Sequence, residues 1–160
     1  MATDYFLKLE GIEGESEQKD HVSEIELLSW SWGESNSGSA AGGGGQGSGK
    51  VNMQDFAFAM AVNKASPKLL LSCATGDHIS KAVMTCRRAG KEPRPYLTIT
   101  FSDCLVSSYQ TGGSAGSEIP TDSITLNFAK VEYSYSPQKK DGTLGTAVPV
   151  GYDLKTSTAS

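Results

Sequence analysis

Apolar and polar side chains alternate with a period of two along most of the chain, the signature of half-buried β-strands. Ile124, Leu126 and Phe128 fall on one side against Thr125, Asn127 and Ala129, and Leu97, Ile99 and Phe101 alternate in the same way with Tyr96, Thr98 and Thr100. These segments predict the two central strands. Val131, Tyr133 and Tyr135 continue the alternation, so residues 123–135 read as one long strand that bends or carries a bulge near Ala129. The predicted strands are 4–10, 22–32, 51–60, 79–88, 96–109, 123–135 and 148–154. Such a series implies a mainly β fold, a small barrel or sandwich of two antiparallel sheets.

One helix interrupts the strands, at about residues 66–75. Ser66 offers an N-cap oxygen, Pro67 suits the first helical position, and Gly76 suits a left-handed stop. Leu69, Leu70 and Cys73 form its apolar side, so it is expected to flank or plug the barrel with Leu69 and Leu70 against the sheet. Between Gly33 and Lys50 almost no apolar side chain occurs, and Gly42, Gly43, Gly44 and Gly45 occupy the middle. The entropy of ordering such a segment outweighs what it can bury, so a long flexible excursion is predicted. A second Gly-rich turn surrounds Gly112 and Gly113.

At 160 residues and 38% hydrophobic content, the chain is read as one domain, 1–160, with a tail at 155–160. Its net charge of −4 supplies no basic field for a phosphate backbone, which argues against nucleic acid as a partner. The charge is unevenly placed. Glu10, Glu13, Glu15, Glu17, Asp20, Glu24 and Glu26 face Lys19 alone, whereas Lys81, Arg87, Arg88, Lys91 and Arg94 face only Glu92. One region therefore has the charge to attract the other on an identical copy, and two solvated loops are the plainer alternative. Cys73, Cys86 and Cys104 lack a Cys-x-x-Cys spacing and read as small buried hydrophobes rather than a disulfide framework. No basic leader opens the sequence and no run approaches the roughly 18 apolar residues of a membrane span. Synthesis and folding in the cytoplasm, no membrane insertion, and export, if any, without a cleavable signal peptide are expected.

Motifs for chemistry are weak. Gly44 to Lys50 fits G-x-x-x-x-G-K, and Gly42, Gly44 and Gly47 fit G-x-G-x-x-G. Both bind phosphate only where a helix follows at once, and here Val51 stands in place of the magnesium-binding hydroxyl with a strand pattern after it. His21 and His78 are the only histidines, no Gly-x-Ser-x-Gly elbow is present, and the three cysteines are unclustered. Neither a nucleophile with its base nor a zinc set is legible, so no enzyme activity, metal or cofactor is expected. In Ser29-Trp30-Ser31-Trp32-Gly33 alternation sends both indoles to one side and both serines to the other. The indoles are expected in the core or under a neighbouring subunit; the serines face water or line a cavity.

The sequence Ser29-Trp30-Ser31-Trp32-Gly33, the Gly-rich insertion after it and Gly49-Lys50-Val51-Asn52-Met53-Gln54-Asp55 are followed by the Ser66-Pro67 helix. Val106-Ser107-Ser108, Thr111-Gly112-Gly113, Ile124-Thr125-Leu126-Asn127-Phe128-Ala129, Tyr133 and Pro137-Gln138-Lys139 come next in order. In that order and spacing they resemble the haemolysin-coregulated protein (Hcp) family, the tube subunits of bacterial type VI secretion systems. The resemblance runs from Met1 to about Leu154. It implies a small β-barrel with one flanking helix, six copies closing into a ring, and rings stacking into a tube that a contractile sheath propels. It further implies that the protein is exported, that secreted effectors ride in the ring lumen, and that sheath and spike proteins are partners.

A closed ring needs two different surfaces on each subunit, for which Glu24, Glu26, Arg87 and Arg88 are the candidate charges. The ring-stacking candidate is the loop containing Gly33, Ala40, Gly42, Gly43, Gly44, Gly45, Gln46 and Lys50. A lumen that must release its cargo suits small polar residues, which points to Ser31 and Ser114. Some family members carry a fused toxin domain; a chain ending at Ser160 is expected to be a plain tube subunit. The rival reading is a monomeric β-sandwich module that binds carbohydrate through Trp30, Trp32 and Tyr109.

Overall fold

The computed structural model describes residues 3–38, 50–88, 93–116 and 118–160. Its strands are β1 (Thr3–Leu9), β2 (Ile25–Glu26), β3 (Ser29–Ser31), β4 (Glu34–Asn36), β5 (Val51–Met53), β6 (Phe56–Ala61), β7 (His78–Arg88), β8 (Pro95–Gly112), β9 (Thr121–Asn127), β10 (Lys130–Tyr135), β11 (Val148–Asp153) and β12 (Thr158–Ala159), with α1 (Ser66–Thr75) between β6 and β7. Two antiparallel sheets result. Ten strands form one in the order β12-β11-β10-β8-β7-β1-β2, from which β9, β6 and β3 branch at β8; β4 and β5 form a separate ribbon.

The 18-residue β8 organises the larger sheet. Its first half pairs with β10, Leu97 opposite Tyr135 and Ser102 opposite Lys130, and its second half pairs with β9, Leu105 opposite Asn127 and Gly112 opposite Thr121. Between the halves Asp103 takes φ 56°, and the register shifts between Val106 and Ser108. A bulge raises local twist and bends its strand, so the two halves serve two walls facing one core. The walls also meet at residues 27 and 28, where the Leu27 amide donates to Tyr5 O over 2.9 Å and the Leu28 amide to Ala59 O over 2.8 Å. The ladder stops there, so the sheet curls around its core without closing into a barrel.

Phe56, Phe101, Leu7, Met84, Ile99 and Leu126 are fully buried in that core, each contributing roughly 1.5–3 kcal/mol by its burial. Phe56 and Phe101 lie 4.8 Å apart and Phe101 and Phe128 4.7 Å apart, all tilted, within the range of favourable aromatic pairs.

The alternation located the central strands and missed the breaks. Residues 22–32 divide into β2 and β3, because Leu27 turns into the core while Leu28 is exposed as the chain passes between walls. Residues 51–60 divide into β5 and β6 where the Gln54 amide turns to Gly33 O. Residues 123–135 divide into β9 and β10 at Phe128 and Ala129, the bend expected there.

The helix has its expected span and a different start and packing. Ala65 occupies the N-cap without a side-chain hydrogen bond, since the Ser66 hydroxyl donates inward to Asp122 instead. Asn63 supplies the turn, its Oδ1 accepting from the Ala65 amide over 2.8 Å. Gly76 stops the helix in the left-handed region, φ 73°, as predicted. The buried side is Ser66, Leu69 and Ser72, whereas Leu70 and Leu71 are 52% and 57% exposed. Leu70 therefore does not pack against the sheet.

Candidate functional site

Three strand registers assemble one outer face from small, uncharged side chains. Residues directly opposite each other in antiparallel strands share a face. Ser31 pairs with Ala57, Ala57 with Thr125, and Thr125 with Ser108. In the next row Ser29, Ala59, Ser123 and Gln110 follow, and then Ala61, Thr121 and Gly112. None of these side chains is charged. The alternate residues Phe56, Phe58, Ile124 and Leu126 are all buried beneath them. At one margin of the face Asp55 has its charge spent on neighbours: Ser107 Oγ donates to Oδ2 over 2.6 Å and Asn127 Nδ2 to Oδ1 over 3.1 Å. Thr125 Oγ1 lies 2.7 Å from Ser107 Oγ and 2.6 Å from Ser108 Oγ, which holds the bulge of β8 in place.

Ser31 thus sits in the first row of this face, exposed. Ser114 is exposed just beyond the end of β8, outside the paired rows. Of the candidate stacking loop, Gly33 accepts from the Gln54 amide over 2.9 Å and Lys50 is exposed before β5; Ala40, Gly42, Gly43, Gly44, Gly45 and Gln46 lie outside the described residues. Part of the predicted excursion is ordered, because Glu34, Ser35 and Asn36 pair with Met53, Asn52 and Val51 as a ribbon.

The four candidate charges divide. Arg87 is only 3% exposed. Its guanidinium lies 4.7 Å from the centre of the Phe6 ring, with Nη2 donating to Gln18 Oε1 over 3.1 Å and Nη1 to Lys19 O over 3.4 Å. Glu24 is held by His21, whose Nδ1 lies 3.0 Å from Oε1, and the imidazole stacks on Phe6 at 4.4 Å and 3°. Arg87 and Glu24 therefore fasten the acidic segment to β1 and β7 and are not surface charges. A Cβ on Gly14 would stand 2.5 Å from Glu24 O, so only glycine permits this close fold of the segment. Glu26 and Arg88 are exposed, Arg88 reaching Gln138 Oε1 and the Tyr96 ring.

His78 Nε2 is 3.2 Å from Asp103 Oδ1, and Lys155 Nζ is 3.2 Å from Oδ2, all three exposed. The hydrogen bond and charge of Lys155, followed by the hydrogen bond to His78, hold the Asp103 carboxyl below the usual range. Cys86 and Cys104 are fully buried, and burial pushes their thiols up to about 11 and about 12. Among the described residues no three His, Cys, Asp or Glu side chains gather as a metal would need, and no helix is long and apolar enough to cross a membrane. Trp30, Trp32 and Tyr109 are partly buried against the core; Trp32 lies 5.9 Å from Phe101 and 6.1 Å from Phe128. They form no projecting aromatic platform.

Sequence reasoning missed Asp122, which is fully buried where the Ser66 hydroxyl donates to its Oδ2 over 2.6 Å. Burial first, and then the Asp122 carboxylate, raises the phenol of Tyr109 above its ordinary range. The signal available was a lone acid at an apolar register position between Thr121 and Ser123.

A folded-over sheet that gives the outer side of one wall to uncharged, mostly small side chains describes a structural β scaffold. Residues 6–135 match the family model described as "Type VI secretion system effector, Hcp". The chain is 50% identical over 157 residues to "Protein hcp1" of Pseudomonas aeruginosa strain PAO1, covering 97% of both. A solved type six secretion system protein superposes with a TM-score of 0.93 at 28% identity, over 99% of this chain and 100% of that one. Hcp1 from Salmonella typhimurium gives 0.82 at 34%, over 100% of each. The chain belongs to the Hcp family of type VI secretion proteins.

Proposed function

We propose that this chain is a subunit of a type VI secretion inner tube. Six copies close into a ring, rings stack, and the uncharged face of β3, β6, β9 and the second half of β8 lines the central hole. The observation that carries this reading is the set of three uncharged rows beginning at Ser31, Ser29 and Ala61. A surface meant for solvent alone commonly mixes both signs of charge, and a conduit that holds and releases varied effectors is served by weak, short, neutral contacts. Ser31 and Ser114 are the proposed cargo contacts, Glu26 and Arg88 the proposed contact charges between subunits. The segment from Gly33 to Lys50, with its β4–β5 base, reaches toward the next ring. The tube assembles in the cytoplasm and leaves through the apparatus, enclosed by sheath and capped by spike proteins.

End-on electron micrographs of the purified protein are expected to show annuli with an open centre. Ser31→Gln is expected to leave the annuli intact and to lower retention of co-expressed small effectors. Annuli that retain effectors equally well with Ser31→Gln would remove Ser31 from the lumen assignment; the absence of annuli would remove the tube reading itself.

A further inference from the structure

The hairpin of β10 and β11 carries the inner, apolar side of the sheet past the edge of the core. Tyr133 lies opposite Ile99 on β8 and Val150 on β11, and Tyr135 lies opposite Leu97 and Val148. Ile99 and Leu97 are buried. On the same face, Tyr133, Tyr135, Val148 and Val150 are 38%, 45%, 60% and 59% exposed. A core-facing side with nothing over it is an interaction surface by physical default. The connection closing this hairpin bears the exposed Lys139 and Lys140, and Arg88 joins it through Gln138.

At the other end of the strand order lies β2. Beside it an open groove of about 380 Å³ is lined by Ala61, Val62 and Ile119 and otherwise by polar side chains that include Glu15, Glu17 and Glu26. Val62 and Ile119 are 37% and 55% exposed. Of the cations nearby, the Lys64 ammonium faces Glu13 at 3.5 Å and Arg87 donates to Gln18 of the groove over 3.1 Å. Among the described residues Glu17 and Glu26 have no ion pair within the subunit.

An apolar patch with a basic fringe and a partly apolar groove with acidic side chains, set at opposite ends of one sheet, are complementary between copies and not within one. We infer that the β10–β11 hairpin of each subunit seats its apolar face on this groove of the next, with Lys139, Lys140 and Arg88 against Glu17 and Glu26. This contact is heterologous, so it propagates around a ring and closes when the rotation permits. The inference rests on the ring reading and names the two surfaces that make it. The fringe charges steer encounter and fix orientation, and the apolar face supplies the buried area.

The test uses two exposed substitutions of the same sign, Val150→Asp on the hairpin and Ile119→Asp in the groove, with circular dichroism and thermal melting to show that each variant folds. Each alone is expected to abolish rings, weakening association by about a hundredfold or more, because each buries an unpaired charge at the contact. Mixed together, one intact hairpin and one intact groove remain, so the pair is expected to form one-to-one dimers and nothing larger. A second arm reverses charge: Glu17→Lys with Glu26→Lys weakens assembly, and adding Lys139→Glu with Lys140→Glu restores it. Rings that persist in Val150→Asp, mixtures that stay monomeric, or a charge reversal without rescue would overturn this assignment while leaving the ring reading in place. An unaltered chain that is itself monomeric would instead overturn the ring reading.

Discussion

The Ser66 hydroxyl donates to the Asp122 carboxylate over 2.6 Å, tying the first residue of α1 to the second residue of β9 in a space closed to solvent. Both residues are buried, Ser66 at 4% and Asp122 at 0% exposure, and the same hydroxyl oxygen accepts from the Asn63 amide over 3.0 Å. Asp122→Ala removes the acceptor and opens a small void. It is expected to lower stability by about 1–3 kcal/mol, read as a lower urea midpoint at an unchanged slope. Asp122→Asn, which keeps one acceptor oxygen and nearly the same volume, is expected to lose less. An unchanged midpoint in Asp122→Ala would contradict the anchoring role.

Inverted polarity of α1 gives a second contrast. Leu69 is fully buried while Leu71, two residues on, is 57% exposed. Leu69→Ala is expected to destabilise the subunit by about 2–5 kcal/mol, and Leu71→Ala by no more than about 0.5 kcal/mol. Equal losses in chemical denaturation would show that the outer leucine is covered within the subunit.

Arg87 is expected to control how firmly the acidic segment is held. Its two terminal nitrogens reach Gln18 Oε1 and Lys19 O together, a fork that an ammonium cannot reproduce. In Arg87→Lys, limited trypsin digestion should cut after Lys19 severalfold faster than in the parent chain. The same rate in both would contradict the clamp.

The two buried thiols set an alkaline limit. Unfolded thiols ionise near 9, whereas Cys86 and Cys104 are pushed up to about 11 and about 12 by burial. Above pH 9 the unfolded chain therefore binds fewer protons than the folded one, and stability falls as pH rises toward 12. Below pH 9 both states keep the protons and this contribution is constant. The double variant Cys86→Ala, Cys104→Ala is expected to be less stable at neutral pH and to show a shallower fall above 9. In the native chain at pH 8 a thiol reagent should modify Cys73, which is partly exposed, and spare the other two until urea is added.

Strand content, the helix and the central role of residues 96–109 and 123–135 were legible because burial on one side of a strand writes itself as alternation. The breaks were not. Leu27 and Leu28 are both apolar, and only the crossing from β1 to β6 explains why one is buried and the other exposed. Ser66 looks like a cap in sequence, yet its partner lies 56 positions away, beyond any local rule. Arg87 carries the charge of a surface residue, and only the assembled ring of Phe6 and the carbonyl of Lys19 show why it is buried. The neutral face was half visible: Ser29 and Ser31 stood out beside the indoles, while Ala57, Ala59, Ser123 and Thr125 acquire meaning only through the register that sets them side by side.

The central claim is that one surface match, repeated between identical copies, builds an annulus around the neutral face. Native mass spectrometry of the unmodified chain at physiological ionic strength tests it most directly. The account predicts a dominant species of six chain masses. A single chain mass at every concentration up to the highest attainable would contradict it.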